Sequence, residues 1–263
     1  IYKKFIASLN TLVADGVVKE WRTFPYDWRR SADNVVHFGT SLKKGDEFVI
    51  AHMVDELIAL AKTSKSGKVT IIGHSNGGLV GKLLVNELVK RGQAKLVDKF
   101  IMVAVPQLGT PVALAGLLHG DEQLIPQKLG FIVGRIAARQ LSENMPGAYG
   151  LLPSTNYFSQ VSDPVIEFAP DVSKIYNFSS FYGSSIDSKS ELDRFLLGES
   201  GARTKPPVSD TNSPNVLNQG LLAKASGTQN VLDTWTAPPE IEVTQIVGWG
   251  LDTVRGIRYD DCR

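Results

Sequence analysis

Lys68-Val69-Thr70-Ile71-Ile72-Gly73-His74-Ser75-Asn76-Gly77-Gly78 is the stretch on which the fold turns. Its first half is short, apolar and β-branched, the composition of a strand buried on both faces of a parallel sheet. Its second half is a glycine-rich turn of the pattern G-x-S-x-G. From about Leu79 to Lys90 apolar residues then recur at helical spacing. Phe100 to Val105 (FIMVAV) is the next buried strand. Strand, helix and strand at this spacing form a βαβ unit with a right-handed crossover. The fold class expected is therefore α/β, with a mainly parallel sheet and helices on both faces.

The turn also carries chemistry. A G-x-S-x-G match alone is weak, but a strand running into it and a helix leaving it are the context a nucleophile elbow requires. A turn that tight needs small neighbours, which Gly73, Gly77 and Gly78 supply. Ser75 then stands at the tip as the candidate nucleophile, and the backbone N–H of Asn76 can face a developing oxyanion. The plain alternative is a glycine-rich βα turn with an incidental serine.

A serine needs a base to take its proton. The chain has four histidines. His74 lies within the elbow and reads as a packing residue. His52 reads as a histidine in mid-helix, and His37 and His119 read as surface residues. In this arrangement the acid and then the histidine follow the serine in sequence. No histidine follows His119, so the base is expected outside these residues. Asp252, after a strand at Glu242 to Gly248, is a candidate acid; its other reading is an ordinary turn aspartate.

Outward from the elbow, Tyr2, Phe5, Ile6, Leu9, Leu12 and Val13 predict an amphipathic helix with a buried stripe, stopped by Gly16. Trp21 to Tyr26 reads as a short strand, and Arg30 to Gly45 as polar loop. Asp46 reads as the cap of a helix carrying Phe48, Val49, Met53, Val54, Leu57, Ile58 and Ala61. After Pro111 the pattern is helical but broken by Gly and Pro as far as Leu152. Gly198 to Gly220, rich in Gly, Pro, Ser, Thr and Asn, reads as a long mobile loop. The expected organisation is a first part of the core at 1–111, an inserted cap at 112–239 and a return to the core at 240–263.

The chain has 263 residues, 43% hydrophobic and 21% charged, with net charge +1, which is ordinary for a globular domain and gives no footprint for nucleic acid. No run of about 20 apolar residues predicts a membrane span. Cys262 is the one cysteine, so no internal disulfide is expected. Nothing in the pattern calls for a metal or other cofactor.

Further segments, in order, carry a resemblance. Pro25-Tyr26-Asp27-Trp28-Arg29, the elbow Gly73 to Gly78, Val105-Pro106-Gln107-Leu108-Gly109-Thr110-Pro111, Gly120-Asp121-Glu122, Met145 to Ser154 (MPGAYGLLPS) and Ile246 to Thr253 (IVGWGLDT) resemble the lecithin–cholesterol acyltransferase family. The resemblance implies an α/β-hydrolase fold and chemistry on lipid acyl esters. It carries over Ser75 as nucleophile and the Asn76 amide as half of the oxyanion hole. It places the family's acid and histidine after the Gly248–Thr253 region and the other oxyanion loop before the first helix. Asn76 departs from it, since the family often has an apolar residue there. The family's sheet also has a strand between the one ending in PYDWR and the elbow strand; it would precede Ile1. A longer polypeptide is therefore expected, in a secreted, lumenal or lysosome/vacuole-like compartment.

Three functions compete on these grounds. The first is a lipase, phospholipase or acyltransferase using an acyl-Ser75 intermediate, with an apolar stripe of Phe131, Ile132, Val133, Ile136, Ala137 and Leu141 that could meet lipid at a membrane surface or equally pack within the cap. The second is an esterase, thioesterase or amidase for small soluble substrates. The third is a catalytically dead binding module. Asp27 and Arg29, two residues apart, are expected to be structural, as members of a buried or half-buried ion pair.

Overall fold

The computed structural model describes residues 2–121, 134–169, 178–199 and 203–260. The chain opens with helix α1 (Lys3–Ala14), which stops where Gly16 turns left-handed at φ +70°. The stop is as expected, but the stripe is not buried: no residue of α1 is, and Tyr2 and Phe5 are about half exposed. Trp21 to Tyr26 forms no strand. An extended segment becomes a strand only by pairing, and no described strand lies beside it. Asp27 is half-buried and Arg29 exposed, and both are partnered.

The expected loop at Arg30 to Gly45 is instead ordered. Helix α2 (Ala32–Phe38) buries Val35 and Val36 completely or nearly so. Strands β1 (Thr40–Lys44) and β2 (Glu47–Ala51) then pair antiparallel, with Lys44 opposite Glu47. Gly45 and Asp46 form the two-residue loop between them, Gly45 at φ +64°, so Asp46 caps no helix and Phe48 and Val49 lie on a strand. Helix α3 (Met53–Thr63) starts six residues later than that cap would have it, and His52 is its N-cap residue rather than a mid-helix one.

Strand β3 (Val69–His74), helix α4 (Asn76–Lys90) and strand β4 (Val97–Val103) form the predicted βαβ unit. β3 and β4 are parallel, with Gly73 opposite Met102. α4 packs through Leu79, Val80, Leu84, Val85 and Leu88, all buried. Gly81 lets Phe100 come close: a Cβ there would lie 2.5 Å from the ring. Phe100, fully buried, meets Trp235 edge-on at 6.3 Å.

After β4 come helices α5 (Val112–His119), α6 (Arg135–Ser142), α7 (Pro146–Tyr149) and α8 (Thr155–Gln160), then strand β5 (Ile166–Phe168). Helix α9 (Phe178–Tyr182), strand β6 (Ser185–Ile186) and helices α10 (Lys189–Leu196) and α11 (Gln219–Asp233) follow. β7 (Glu242–Ile246) is the second parallel neighbour of β4, giving the order β3-β4-β7. β8 (Ile257–Tyr259) pairs parallel with β5, which is antiparallel to β6. The protein is thus a mixed α/β structure with a parallel sheet and many helices.

Contacts divide the chain into two compact units. One comprises residues 1–28, 32–105 and 235–248; the other comprises 29–31, 106–234 and 249–263. The first has a core between α2, α3, α4 and the parallel sheet. The second has its own core, with Leu114, Leu118, Tyr149, Ile166, Leu192 and Phe195 almost wholly buried.

The described part of the segment expected to be mobile, 203–218, is tied down. Arg139, 3% exposed, donates to the carbonyls of Pro207, Val208, Asp210 and Ser213 at 2.7–3.2 Å. Arg203 donates to the carbonyls of Phe195, Pro214 and Asn215, and its guanidinium lies 4.1 Å from the Phe195 ring centre. Guanidinium groups with several donors can satisfy an irregular backbone that forms no ladder. Phe131, Ile132, Val133, Glu122 and Cys262 lie outside the described residues. Ile136 and Leu141, at 42% and 51%, are exposed on α6, and so is Ala137.

Candidate active site

The carboxyl end of β3 delivers the chain to Ser75, which occupies the N-cap position of α4. Its backbone sits at φ +53°, ψ −130°, a region L-residues avoid at a cost of about 1–3 kcal/mol. What surrounds it holds it there. The Ser75 N–H donates to Val103 O at 2.9 Å, extending the β3–β4 ladder by one rung, and Gly78 N–H closes the turn onto Ser75 O at 2.9 Å. Two glycines are obligatory by distance. A Cβ on Gly73 would lie 2.8 Å from Gly77 O and from Gly78 Cα, and a Cβ on Gly78 would lie 2.1 Å from Val105 Cγ2. Gly77 is different, since a methyl there meets nothing closer than the Tyr26 hydroxyl at 3.9 Å.

The result is an exposed serine at the start of a helix of 15 residues. Its side chain makes no capping hydrogen bond to α4, and Ser75 Oγ has no hydrogen-bond partner among the described residues. The Asn76 N–H, first in the helix, has no intrahelical acceptor and lies at the positive end of the helix dipole. An unpaired hydroxyl and a backbone N–H without an intrahelical acceptor thus occupy adjacent residues.

Sequence reasoning did not single out Tyr26 as part of this site. Its hydroxyl accepts from Asn76 Nδ2 at 3.3 Å. Burial raises its pKa, with the Asn76 bond acting in the opposite direction. The signal was present, since Tyr26 is the second residue of PYDWR, but no spacing rule connects positions 50 residues apart.

The other predicted residues fall as follows. His74 is exposed rather than packed in a core, and its Nδ1 is 2.8 Å from the Tyr2 hydroxyl, with the rings edge to face. His37 is exposed on the last turn of α2. His119, expected at the surface, is 7% exposed, with Nδ1 2.9 Å from Thr211 O and Nε2 2.7 Å from the Tyr259 hydroxyl. None of the four is hydrogen-bonded to Ser75. Asp252 is an exposed loop residue of the second unit, with no hydrogen bond or ion pair among the described residues. Among the described residues no group of three or more His, Cys, Asp or Glu could hold a metal ion, and no helix is long and apolar enough to cross a membrane.

Comparisons with known proteins bear on these residues. The family model described as "Lecithin:cholesterol acyltransferase" matches residues 1–263. "Lecithin-cholesterol acyltransferase-like 4" of Arabidopsis thaliana is 26% identical over 207 residues, 78% of this chain and 38% of that protein. "Phospholipase A(1) LCAT3" of Arabidopsis thaliana is 26% identical over 221 residues, 81% of this chain and 47% of that protein. The chain thus spans less than half the length of the curated relatives it matches. Among solved structures, "The crystal structure of Tle4-Tli4 complex" aligns with a TM-score of 0.42 at 14% identity, over 82% of this chain and 42% of that one.

Proposed function

Because the chain belongs to the lecithin:cholesterol acyltransferase family, we propose that it forms the nucleophile-bearing part of a lipid acyl-ester hydrolase or acyltransferase that works through an acyl-Ser75 intermediate. The observation that carries this reading is the strained Ser75 backbone at the β3–α4 turn, φ +53°, with glycines packed too closely to be replaced. Backbone strain of this kind persists where a site must present one side chain.

In the proposed reaction a general base takes the Ser75 proton as Oγ attacks the ester carbonyl carbon. The carbonyl oxygen becomes an oxyanion facing the Asn76 N–H. The tetrahedral intermediate collapses, the C–O bond to the alcohol breaks, and the alcohol leaves with a proton. Water or a second alcohol then takes the acyl group, giving hydrolysis or transfer. One relative is named a phospholipase A(1), so a phospholipid acyl ester is the first substrate to try. Residues 112–239 are proposed as the cap that sets acyl preference, and Asp252 remains the candidate acid. A secreted, lumenal or vacuole-like setting is proposed on the family ground alone.

The test uses the full-length protein and a fluorophosphonate. Wild type should form a covalent adduct at Ser75 and hydrolyse phospholipid vesicles, and Ser75→Ala should do neither. An adduct that persists in Ser75→Ala sinks the assignment. A Ser75 adduct with turnover of short soluble esters only would place the protein among small-substrate esterases.

A further inference from the structure

We propose that the Tyr26–Asn76 hydrogen bond is a positioning device for the oxyanion donor, with Tyr26 acting through the Asn76 side chain on the first residue of α4. The proposal rests on Ser75 being the nucleophile. Asn76 has two distinct jobs in this geometry. Its backbone N–H faces the place where negative charge develops, and its side-chain amide reaches away to the Tyr26 hydroxyl at 3.3 Å.

The first residue of a helix is the least restrained, because its N–H has no intrahelical acceptor and helix ends fray. On one side Ser75 is fixed by the β4 ladder, and on the other Gly78 is fixed by Val105. Between them, Gly77 has open space and Asn76 has only this side-chain bond. The Tyr26 oxygen bonds Asn76, and it is the nearest atom a side chain on Gly77 would meet, at 3.9 Å. A tyrosine phenol is neutral near pH 7, and burial raises the Tyr26 pKa further. The pair also gives the Asn76 side chain a physical use, since a partner for it stands at Tyr26.

The asymmetry of hydrogen-bond energetics supplies the test. Removing one partner strands the other, whereas replacing both with apolar groups leaves nothing unsatisfied. In the full-length protein, inactivation by a fluorophosphonate separates binding (KI) from reaction at the serine (kinact). Tyr26→Phe should lower kinact about three- to tenfold, the worth of one neutral hydrogen bond, with KI unchanged and any loss of melting temperature relieved in the double variant. Tyr26→Phe combined with Asn76→Leu should react faster than Tyr26→Phe alone. Wild-type kinact in Tyr26→Phe overturns the proposal. So does a fall in kinact that comes with a lower melting temperature and is not relieved in the double variant, or a Tyr26→Phe protein that does not fold, since each makes Tyr26 a packing residue. If labelling does not depend on Ser75 at all, the nucleophile assignment fails first and the positioning role with it. Ser75-dependent labelling that is indifferent to Tyr26 condemns the positioning role alone.

Discussion

Around Ser75, order comes from what is missing: side chains are reduced to hydrogen at Gly73 and Gly78 so that backbone can touch backbone or valine, and one residue is pushed to φ +53°. In the second unit, order comes from what is added. Arg139 and Arg203 are buried to hold seven carbonyls of chain that belongs to no helix or strand, or to the end of one. The first solution leaves a hydroxyl and an amide N–H unspent at an exposed turn. The second commits both terminal nitrogens of Arg139 and Arg203 to carbonyls, leaving Arg203 Nε buried without a partner among the described residues. A region that commits most of its buried donors to backbone carbonyls is suited to holding shape, and one that leaves a hydroxyl and a donor free is suited to chemistry.

The sharpest break of this comparison lies at the elbow. In Gly73→Ala the new methyl meets backbone atoms of Gly77 and Gly78 at 2.8–2.9 Å, which no rotamer change can relieve. The turn must move, and misplacing a reacting group by about 1 Å costs about 10²-fold in rate. Fluorophosphonate labelling of the full-length protein should fall by about that factor, while Gly77→Ala, with room for its methyl, should keep most of its rate. Equal rates for both would mean the close approach does not set the site.

The second unit should instead break through stability. Arg139→Leu strands carbonyls that now accept from a cation, bonds worth about 1.5–3 kcal/mol each at most and not additive. Urea unfolding should show a loss of about 2–3 kcal/mol. The comparison is Arg135→Leu four residues earlier, an exposed arginine whose ion pair with Asp121 at 2.6 Å is more than 40% exposed on both sides and which also donates to Thr211 O at 3.2 Å. Such pairs contribute about 0–1 kcal/mol. Similar losses for the two would show that burial is not what makes Arg139 important.

A smaller effect separates the helix N-termini. Asn218 accepts from Leu221 N–H at 3.0 Å and Ser188 from Glu191 N–H at 3.3 Å, so both cap their helices. Losing such a cap costs about 0.5–2 kcal/mol. Asn218→Ala should therefore lower the melting temperature. Ser75→Ala, at the N-cap position of α4, should not, because Ser75 makes no capping bond. A destabilised Ser75→Ala would mean its hydroxyl has a structural role after all.

The same contrast decides what could be read from the sequence. The βαβ unit was legible because Val69 to Ile72 and Phe100 to Val103 are dense β-branched or apolar runs on either side of a glycine turn. Ser75 was legible because strain demands small neighbours in fixed positions. Phe48 and Val49 read with helical period because the apolar run from Phe48 to Ile50 fits either period; the two-residue Gly45-Asp46 turn is the discriminating signal. Val35 and Val36 are too few to mark α2 as buried. α1 was correctly a helix, but periodicity reports a stripe, not what covers it. In 203–218, burial is achieved by arginines from elsewhere in the chain, so the local composition reads as loop although the backbone is fixed. Tyr26 was not tied to the elbow, and His119 reads as a surface residue, because their partners are far away in sequence.

His119 gives the gentlest probe of the second unit, a dependence on pH rather than a step. A carbonyl can only accept, so the contact with Thr211 O puts the proton on Nδ1, and Nε2 then accepts from the Tyr259 hydroxyl. Both ring nitrogens are satisfied only when the imidazole is neutral. Its pKa lies below the usual 6.5, chiefly because burial penalises the charged form. The Thr211 bond and Asp121 oppose that shift, and Arg135 and Arg139 add to it. A histidine with a depressed folded pKa binds fewer protons folded than unfolded once pH falls to about 6.5 and below. The folded state therefore loses stability as pH drops through 6.5, and the loss levels off below the folded pKa, where both states are protonated. Above about pH 7.5 His119 is neutral in both states and contributes no slope. Melting temperatures of wild type and His119→Gln between pH 5 and 8 isolate the effect, since glutamine cannot titrate. The wild type should lose more stability than His119→Gln on going from pH 7.5 to 5.5. Parallel curves would mean that His119 charges in place without cost, and that the second unit keeps a polar reserve which its committed hydrogen bonds do not show.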